Sequence, residues 1–313
     1  MSEEEFRMPL SSSLPFSPVT PEDYEQIYPY TSAWGEGSCQ YSPVSMFSLS
    51  EKYGDEVCIR DGFLYTLRRN LCGGMYRVYL APIGEGDRKA AFARVMDDAE
   101  EYGKKVSFRT LTEEAADFLE KNFPGRFRLE ENRDMAEYFC RTESTATFAG
   151  GALQRRRREV NTFWNTYGAR AAVLPLVPEV FPEVLAFEEN WLRESEETHD
   201  MEALRIEARM IARQLEHFEA LRLSGVVLRI DGAVEGFSYG TPLNGSVYDA
   251  LVEKVNRKIP HIAKVLRQES TKHCAMAYEY VNMEEDVGVP GLRALKTAYA
   301  PAYLLQKYIA VER

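Results

Sequence analysis

The chain has 313 residues, of which 45% are hydrophobic and 28% are charged, a balance that excludes a disordered chain and is typical of a globular protein. Its formal net charge of -11 argues against a protein that coats nucleic acid or binds duplex DNA, because phosphate binding needs a basic surface. No run of about 18 apolar residues occurs, so the sequence predicts no transmembrane segment.

The cysteines and histidines limit the metal and redox chemistry that we expect. The five cysteines are odd in number and never spaced as Cys-x-x-Cys, which argues against a disulfide framework and a structural zinc site and favours a cytoplasmic location. The four histidines form no His-Glu-x-x-His motif, so we expect no catalytic metal. Residues 1–10 are acidic and lack the apolar stretch of a secretory signal.

The first half of the chain alternates candidate strands and helices. The β-prone residues 57–59 and 63–67 flank the turn pair Asp61-Gly62 and predict a hairpin. Residues 76–80 predict a strand that is followed by a helix with Asp87 as its N-cap. Further predicted elements are strands at 106–109 and 135–140 and a helix at 112–122.

The turn between the strand at 76–80 and the following helix contains Gly84-x-Gly86. A glycine turn that opens a helix presents backbone N–H groups, and these suit a pyrophosphate such as that of coenzyme A. The alternative is a tight structural turn. Gly84 and Gly86 are therefore candidate cofactor-binding residues.

The second half continues the alternation after an expected junction at 144–151, which divides the chain into domains 1–148 and 149–313. The apolar spacing predicts helices at 153–167 and 200–221. The next elements are a hairpin of 226–230 with 233–239, strands at 248–252 and 275–281, and helices at 259–272 and 290–299. Both halves thus predict an α/β (α+β) fold in which mixed sheets are flanked by helices.

An arginine run at 154–158 falls in the helix predicted at the start of the second half. Gln154, Arg157, Arg158 and Asn161 share one helical face, since they are three or four residues apart. Guanidinium groups form bidentate contacts with phosphate and carboxylate, so Arg157 and Asn161 are candidate substrate-binding residues. The alternative is a solvated helix between the domains.

A mixed-charge segment at 280–299 is the strongest candidate for the active site. Asn282, Glu284 and Asp286 follow a predicted strand, and ligand sites favour the carboxyl ends of strands in α/β sheets. Arg293 and Lys296 share one face of the next helix. Carboxylates can accept a proton and cations can stabilise an oxyanion or phosphate, although a structural network of ion pairs is the alternative.

The pattern Asn282-x-Glu284-x-Asp286-x-Gly288-x-x-Gly291-Leu292-Arg293-x-x-Lys296-x-x-Tyr299 resembles a family related to the C-terminal domain of phosphatidylglycerol lysyltransferase. The resemblance implies two tandem GNAT-like (acetyltransferase) domains, similar also to the Fem-type transferases. Arg157 with Asn161, and Glu253-Lys254, resemble further parts of the family pattern. Arg158-Glu159 departs from it, because the family has Asn-His there. The membrane-embedded half of the lysyltransferases has no counterpart in the sequence.

The resemblance implies an acyltransferase or aminoacyltransferase whose site lies in the second domain. The donor would be acyl-CoA or aminoacyl-tRNA, and the acceptor an amine or hydroxyl of a small molecule, a peptide or a lipid. Asp286 or Glu284 would orient or deprotonate the acceptor, and Arg293 and Lys296 would stabilise negative charge. The expected substrate-binding residues are Arg157, Asn161, Asn282, Lys254 and Tyr299. The alternative is a non-catalytic ligand-binding or regulatory module with the same fold.

Overall fold

The computed structural model describes residues 14–195 and 201–313, which form two compact units. The described part of the first unit consists of residues 14–19, 53–131 and 307–313. The second unit consists of residues 20–52 and 132–306 apart from 196–200. Residues 1–10 and Asp200, the predicted start of a helix, lie outside the described residues.

The elements of both units follow one another along the chain. The strands are β1 (Ser17–Pro18), β2 (Asp55–Arg60), β3 (Phe63–Arg68), β4 (Tyr76–Tyr79), β5 (Ile83–Gly84), β6 (Lys105–Leu111), β7 (Phe127–Glu131), β8 (Glu137–Arg141), β9 (Ala171–Pro175), β10 (Ser224–Ile230), β11 (Ala233–Pro242), β12 (Val247–Val255), β13 (Tyr280–Glu285), β14 (Tyr303–Leu305) and β15 (Tyr308–Glu312). The α-helices are α1 (Tyr24–Trp34), α2 (Pro43–Ser48), α3 (Ser50–Tyr53), α4 (Arg88–Glu101), α5 (Glu113–Asn122), α6 (Thr142–Thr147), α7 (Gln154–Tyr167), α8 (Phe181–Glu194), α9 (Met201–Glu216), α10 (Ile262–Ser270) and α11 (Pro290–Thr297).

The first unit is built on a mixed sheet in the order β1-β2-β3-β4-β6-β15-β7, with β5 paired to β3. The predicted hairpin of β2 and β3 is confirmed, and β4 and β6 are parallel. The helical spacing after β4 is confirmed by α4, whose buried Phe92 packs edge-on against Phe108 of β6 with ring centroids 5.3 Å apart. The predicted N-cap is confirmed as well, because the Asp87 carboxylate accepts the Ala90 N–H at 3.0 Å.

The second unit is built on a mixed sheet in the order β14-β8-β13-β12-β11-β10-β9. One buried core of this unit includes Val160 and Phe163 of α7, Val226 of β10 and Val265 of α10. The α/β fold class with two mixed sheets flanked by helices is therefore confirmed. Within the part of the chain that the structure describes, no helix is long and apolar enough to cross a membrane.

The division into units differs from the expected boundary between residues 148 and 149. Strand β8 pairs with β13 and β14, so residues 132–148 belong to the second unit. Strand β15 pairs with β6 and β7, so the end of the chain belongs to the first unit. Both pairings join residues more than 130 positions apart, and local sequence patterns do not report such contacts.

The strand predicted at 275–281 is displaced in the structure. Residues Thr271–Ala275 form a π-helical turn that continues α10, and β13 begins only at Tyr280. Asn282 and Glu284 were expected in a loop after the strand, yet both lie within β13. The segment 24–52, which had no predicted structure, forms α1, α2 and α3.

Candidate functional site

The candidate site lies where the parallel strands β12 and β13 separate. Their pairing runs from Val247 opposite Tyr280 to Asp249 opposite Asn282, and beyond that point the described residues of the two strands no longer pair. On its other side, β13 shifts register against β8 between Asn282 and Glu285. Within this irregularity Glu284 has a φ of 58°, a left-handed conformation that is uncommon outside glycine and is frequently found at functional sites.

Four carboxylates meet at this separation, and we call them the acidic cluster: Glu137 of β8, Asp249 of β12, and Glu284 and Glu285 of β13. Each of the other three carboxylates raises the pKa of Asp249, which shows that they are electrostatic neighbours. The topology therefore brings together acids that are up to 148 positions apart in the sequence.

Glu137 is held in place by neutral donors. The Asn282 side-chain amide donates to it at 2.6 Å, the Ser38 hydroxyl at 2.6 Å and the Cys39 N–H at 2.9 Å. The same Asn282 amide also donates to the Gly37 carbonyl at 3.0 Å. The buried Asn282 thus fixes one member of the cluster and the loop that lies beside it.

Glu285 belongs to the same network through both its side chain and its backbone. Its carboxylate accepts hydrogen bonds from the Gln40 amide at 3.2 Å and the Cys39 thiol at 3.4 Å. Its carbonyl accepts the Lys296 ammonium at 2.5 Å, so the predicted Lys296 does approach the cluster. Lys296 also lowers the pKa of the neighbouring Glu284, in accord with its positive charge.

Asp249 is the most unusual member of the acidic cluster. It is 0% exposed, and neither of its carboxylate oxygens has a hydrogen-bond partner among the described residues. Burial, followed by the charges of Glu284 and Glu137, raises the pKa of Asp249 well above its ordinary value. A buried polar group without a partner costs free energy, which makes Asp249 a candidate for a functional residue.

Glu284 shares this electrostatic environment. Burial and then the charge of Glu285 raise the pKa of Glu284 to about 8. A carboxyl group of this kind exchanges its proton near neutral pH, which is what general acid–base catalysis requires. The sequence-based choice of Glu284 as a candidate proton acceptor therefore agrees with its surroundings.

Asp286 has the opposite character although it lies only two residues further on. Its buried carboxylate accepts Arg293 at 2.7 and 2.9 Å, the Tyr138 hydroxyl at 2.5 Å, Arg133 at 3.2 Å and the Gly288 N–H at 2.9 Å. Burial opposes ionisation, but the hydrogen bonds outweigh it and hold the pKa of Asp286 below its ordinary value. This saturated ion-pair network matches the structural alternative more closely than a proton acceptor.

The far end of α11 is held by an arginine that the sequence analysis did not select. Arg156 donates to the Ala298 carbonyl at 2.8 Å, and its guanidinium lies 4.1 Å from the ring centroid of the buried Tyr299. A usable signal existed, because Arg156 lies four and seven residues before Val160 and Phe163 on the buried face of α7. Tyr299 is thus a packing residue of this helix end.

Arg157 and Asn161, which were predicted to bind an anion, both lie on α7. The Arg157 guanidinium donates to the Phe148 carbonyl at 2.7 Å and so stabilises the end of α6. Asn161 is exposed on α7.

Lys254 is a buried residue rather than half of an exposed Glu-Lys pair. It is 5% exposed and forms ion pairs with Glu188 of α8 at 3.4 Å and Glu207 of α9 at 2.7 Å. Its ammonium also lies 3.8 Å from the Trp191 ring centroid. These contacts attach the two helices to β12.

The Gly84-x-Gly86 turn serves strand packing in the first unit. Gly84 pairs with Phe63, and a Cβ atom at Gly84 would lie 2.1 Å from the Gly62 carbonyl oxygen. The Asp87 carboxylate already caps the first turn of α4. These contacts fit the structural alternative, since glycine is required here by close backbone approach.

Three members of the acidic cluster were not among the residues predicted from the sequence, namely Glu137, Asp249 and Glu285. Asp249 carried a signal, because it is the only charged residue of the strand predicted at 248–252, and aspartate is seldom buried without a reason. Glu137 and Glu285 carried none, since their proximity depends on the pairing of β8 with β13.

The chain is thus an α/β protein with two mixed sheets, and the second sheet has parallel strands that separate at a polar site. The chain belongs to the family described as phosphatidylglycerol lysyltransferase, C-terminal, whose profile matches residues 36–311. The family resemblance expected from the sequence is therefore confirmed, and the two mixed sheets agree with the fold that it implies.

Solved structures extend this comparison. A conserved protein of unknown function from Bacteroides thetaiotaomicron is 28% identical, with a TM-score of 0.89 over 96% of this chain and 100% of that one. The L-PGS structure from Bacillus licheniformis is 16% identical, with a TM-score of 0.63 over 93% of this chain and 92% of that one. A C-terminal domain named after lysylphosphatidylglycerol synthetase, from Agrobacterium fabrum, is 14% identical with a TM-score of 0.67 and the same coverage. Curated protein sequences give no match.

Proposed function

We propose that the second unit transfers an activated acyl or aminoacyl group to an amine or hydroxyl acceptor at the acidic cluster. Membership of a family named for lysyl transfer supports the reaction class. The observation that carries the proposal is Asp249, a fully buried carboxyl group without a hydrogen-bond partner among the described residues, at the separation of β12 and β13.

The chemistry of the cluster favours a ligand that carries an amine. Four carboxylates lie together, and the donors around them are mostly neutral groups that already bind Glu137 and Glu285. An amine or ammonium group supplies N–H donors to Asp249 and offsets the negative charge, and such charge-assisted hydrogen bonds are strong. This group belongs either to the acceptor or to an aminoacyl donor.

In the proposed reaction, Glu284 takes a proton from the attacking ammonium or hydroxyl group. The acceptor then attacks the carbonyl carbon of the donor ester or thioester, and the leaving alcohol or thiol receives the proton. Lys296 supplies positive charge near the developing oxyanion. Asp286 and Arg293 act as positioning residues, because their ion pair holds the start of α11.

The donor and acceptor are tested together in a transfer assay. Radiolabelled acetyl-CoA or lysyl-tRNA is mixed with the protein and with spermidine, a lysine-containing peptide or phosphatidylglycerol vesicles, and products are separated by chromatography. We expect a product from one donor, and we expect Asp249→Asn to lower kcat/KM by about 100-fold. The control is Glu279→Gln, which removes an exposed carboxylate that pairs with Arg141. Absence of product from both donors would contradict the proposal.

A second candidate is a ligand-binding module without catalysis. It is favoured by the internal use of Arg157, Lys254 and Arg293, each of which holds structural partners. In that case spermidine or coenzyme A raises the Tm by mass action, and no transfer occurs. At a ligand concentration of 100 times Kd, the stabilisation is about 2.7 kcal/mol. The thermal shift and the transfer assay together distinguish the two candidates.

A further inference from the structure

A cavity of 350 Å³ opens between α7, α10 and α11 of the second unit. Three of its lining residues are cationic, namely Arg155, Arg156 and Lys264. The apolar lining residues are Ala152, Leu295 and Ala298, and Arg156 donates to the carbonyls of Ala298 at 2.8 Å and Leu295 at 3.5 Å. Neither the sequence analysis nor the proposed reaction assigns a role to this cavity.

The local charge of the cavity is positive within a chain of net charge -11. Its three cations face one lining carboxylate, Glu159, which accepts Arg155 at 3.1 Å. Arg155 is 90% exposed and able to turn toward a ligand, whereas Arg156 is fixed in the wall by the Ala298 carbonyl. Lys264 lies in the first turn of α10. This arrangement attracts an anion at a place where the rest of the surface would repel it.

The start of α7 adds to this potential. The helix has 14 residues and begins at Gln154, and its N-cap Leu153 makes no side-chain capping hydrogen bond. The N-terminal turn of a helix carries partial positive charge and favours phosphate groups. Ala152 lines the cavity two residues before this turn, so the helix dipole and the three cations act in the same region.

We infer that this cavity binds the phosphate end of an organic phosphate, whose non-phosphate body packs against Leu295 and Ala298. The inference rests on the proposed function in one respect, since it identifies this ligand with the phosphate-bearing donor. Coenzyme A and the 3′ end of a tRNA share the required chemistry. The cationic side chains recognise the phosphate, and the apolar lining residues accommodate a base or an alkyl chain.

Helix α11 connects the cavity to the acidic cluster. Leu295 lines the cavity, and the adjacent Lys296 donates to the Glu285 carbonyl in the cluster. A ligand held against Leu295 therefore contacts the helix that carries a proposed catalytic group. The phosphate would anchor the donor on one side of α11 while its reactive end reaches the cluster.

Titration calorimetry tests the inference with three probes: coenzyme A, the trinucleotide cytidine-cytidine-adenosine and inorganic pyrophosphate. The variants are Lys264→Glu and Arg155→Glu, and the matched control is Arg158→Glu, an exposed residue of α7 that makes the same change in charge. We expect coenzyme A or the trinucleotide to bind, and Lys264→Glu to weaken Kd at least about tenfold. We expect Arg158→Glu to change Kd by less than about twofold.

The inference is overturned if the wild-type protein binds none of the probes, or if the three variants weaken binding equally. Lys264→Gln replaces the charge reversal if circular dichroism shows that Lys264→Glu does not fold. Tighter binding of either coenzyme A or the trinucleotide supports the phosphate site in the cavity, and the tighter ligand indicates which donor is used. Because binding is measured without turnover, binding without any transfer would contradict the proposed function and support this site. Normal transfer by both cavity variants would support the proposed function and contradict this site.

Discussion

Glu284 and Asp286 lie two residues apart at the end of β13, and their carboxyl groups have opposite electrostatic surroundings. Asp286 accepts hydrogen bonds from two arginines, a tyrosine and a backbone N–H, which hold its pKa below the ordinary value. Glu284 lies among other carboxylates, and burial and Glu285 raise its pKa to about 8. Burial alone therefore does not decide the protonation state, whereas the donors that surround each carboxylate do.

This contrast separates structure from chemistry within one short segment. A carboxylate with saturated partners is suited to holding a helix, and it is a poor proton acceptor because its ionised form is already stabilised. A carboxyl group with few donors stores its proton and can exchange it.

The largest effect is expected from Asp286→Ala. This change leaves Arg293 and Arg133 without their shared carboxylate. We expect a loss of about 2–4 kcal/mol in the free energy of unfolding, somewhat less than the roughly 3–5 kcal/mol for fully buried pairs, because both arginines are partly exposed. Urea unfolding measures this loss. The loss should shrink as the pH falls below the ordinary pKa of aspartate, since the unfolded chain then binds a proton that the ion-paired carboxylate of the folded protein does not.

Asp134→Ala is the control for this prediction. Asp134 also accepts Arg293, at 2.7 Å, but its carboxylate is largely exposed. Exposed ion pairs contribute little, so we expect a loss of no more than about 1 kcal/mol. Equal losses in the two variants would show that Asp286 is not the anchor of α11.

A smaller, pH-dependent effect is expected from Glu284→Gln. The folded-state pKa of Glu284 is raised, so the wild type loses stability as the pH rises from the unfolded-state pKa near 4.5 to about 8. The variant lacks this loss, so it should gain on the wild type as the pH rises across that window, with no further gain above it. Urea unfolding at about pH 5 and about pH 9 measures the difference.

The same variant should lose transfer activity if Glu284 accepts the proton. Wild-type activity is then expected to rise with pH toward about 8, and the residual activity of Glu284→Gln should lack this rise. Glu279→Gln is the control, because Glu279 is exposed and pairs with Arg141. A stability difference that does not change with pH would contradict the raised pKa of Glu284.

Sequence patterns predicted the parts of this site that are local. The spacing of Arg293 and Lys296 identified α11, and the resemblance identified the family, whereas the predicted strand at 275–281 overlaps β13 only at its end. The contrast between Glu284 and Asp286 was not accessible, because the donors to Asp286 include Arg133 and Tyr138 from a distant part of the chain.

The observed division into units differs from the expected boundary for the same physical reason. The pairing of β8 with β13, and of β15 with β6 and β7, is set by non-local hydrogen bonds. Glycine and arginine patterns do not separate the two alternatives, because close packing uses the same residue types as ligand binding. Gly84 meets the Gly62 carbonyl, and Arg157 binds the Phe148 carbonyl, so both serve the fold.

The smallest effect on stability is expected from Lys296→Met, and it tests the contrast most sensitively. Lys296 makes one hydrogen bond to the Glu285 carbonyl and is partly exposed, so its loss should cost no more than about 1 kcal/mol. Its charge lowers the pKa of Glu284, and its removal should therefore move the midpoint of the pH-dependent stability change above about 8. Lys272→Met, which breaks a surface ion pair with Glu269, should leave that midpoint in place. An unshifted midpoint in Lys296→Met would mean that Lys296 does not act on the acidic cluster, and its proposed role at the oxyanion would lose its electrostatic basis.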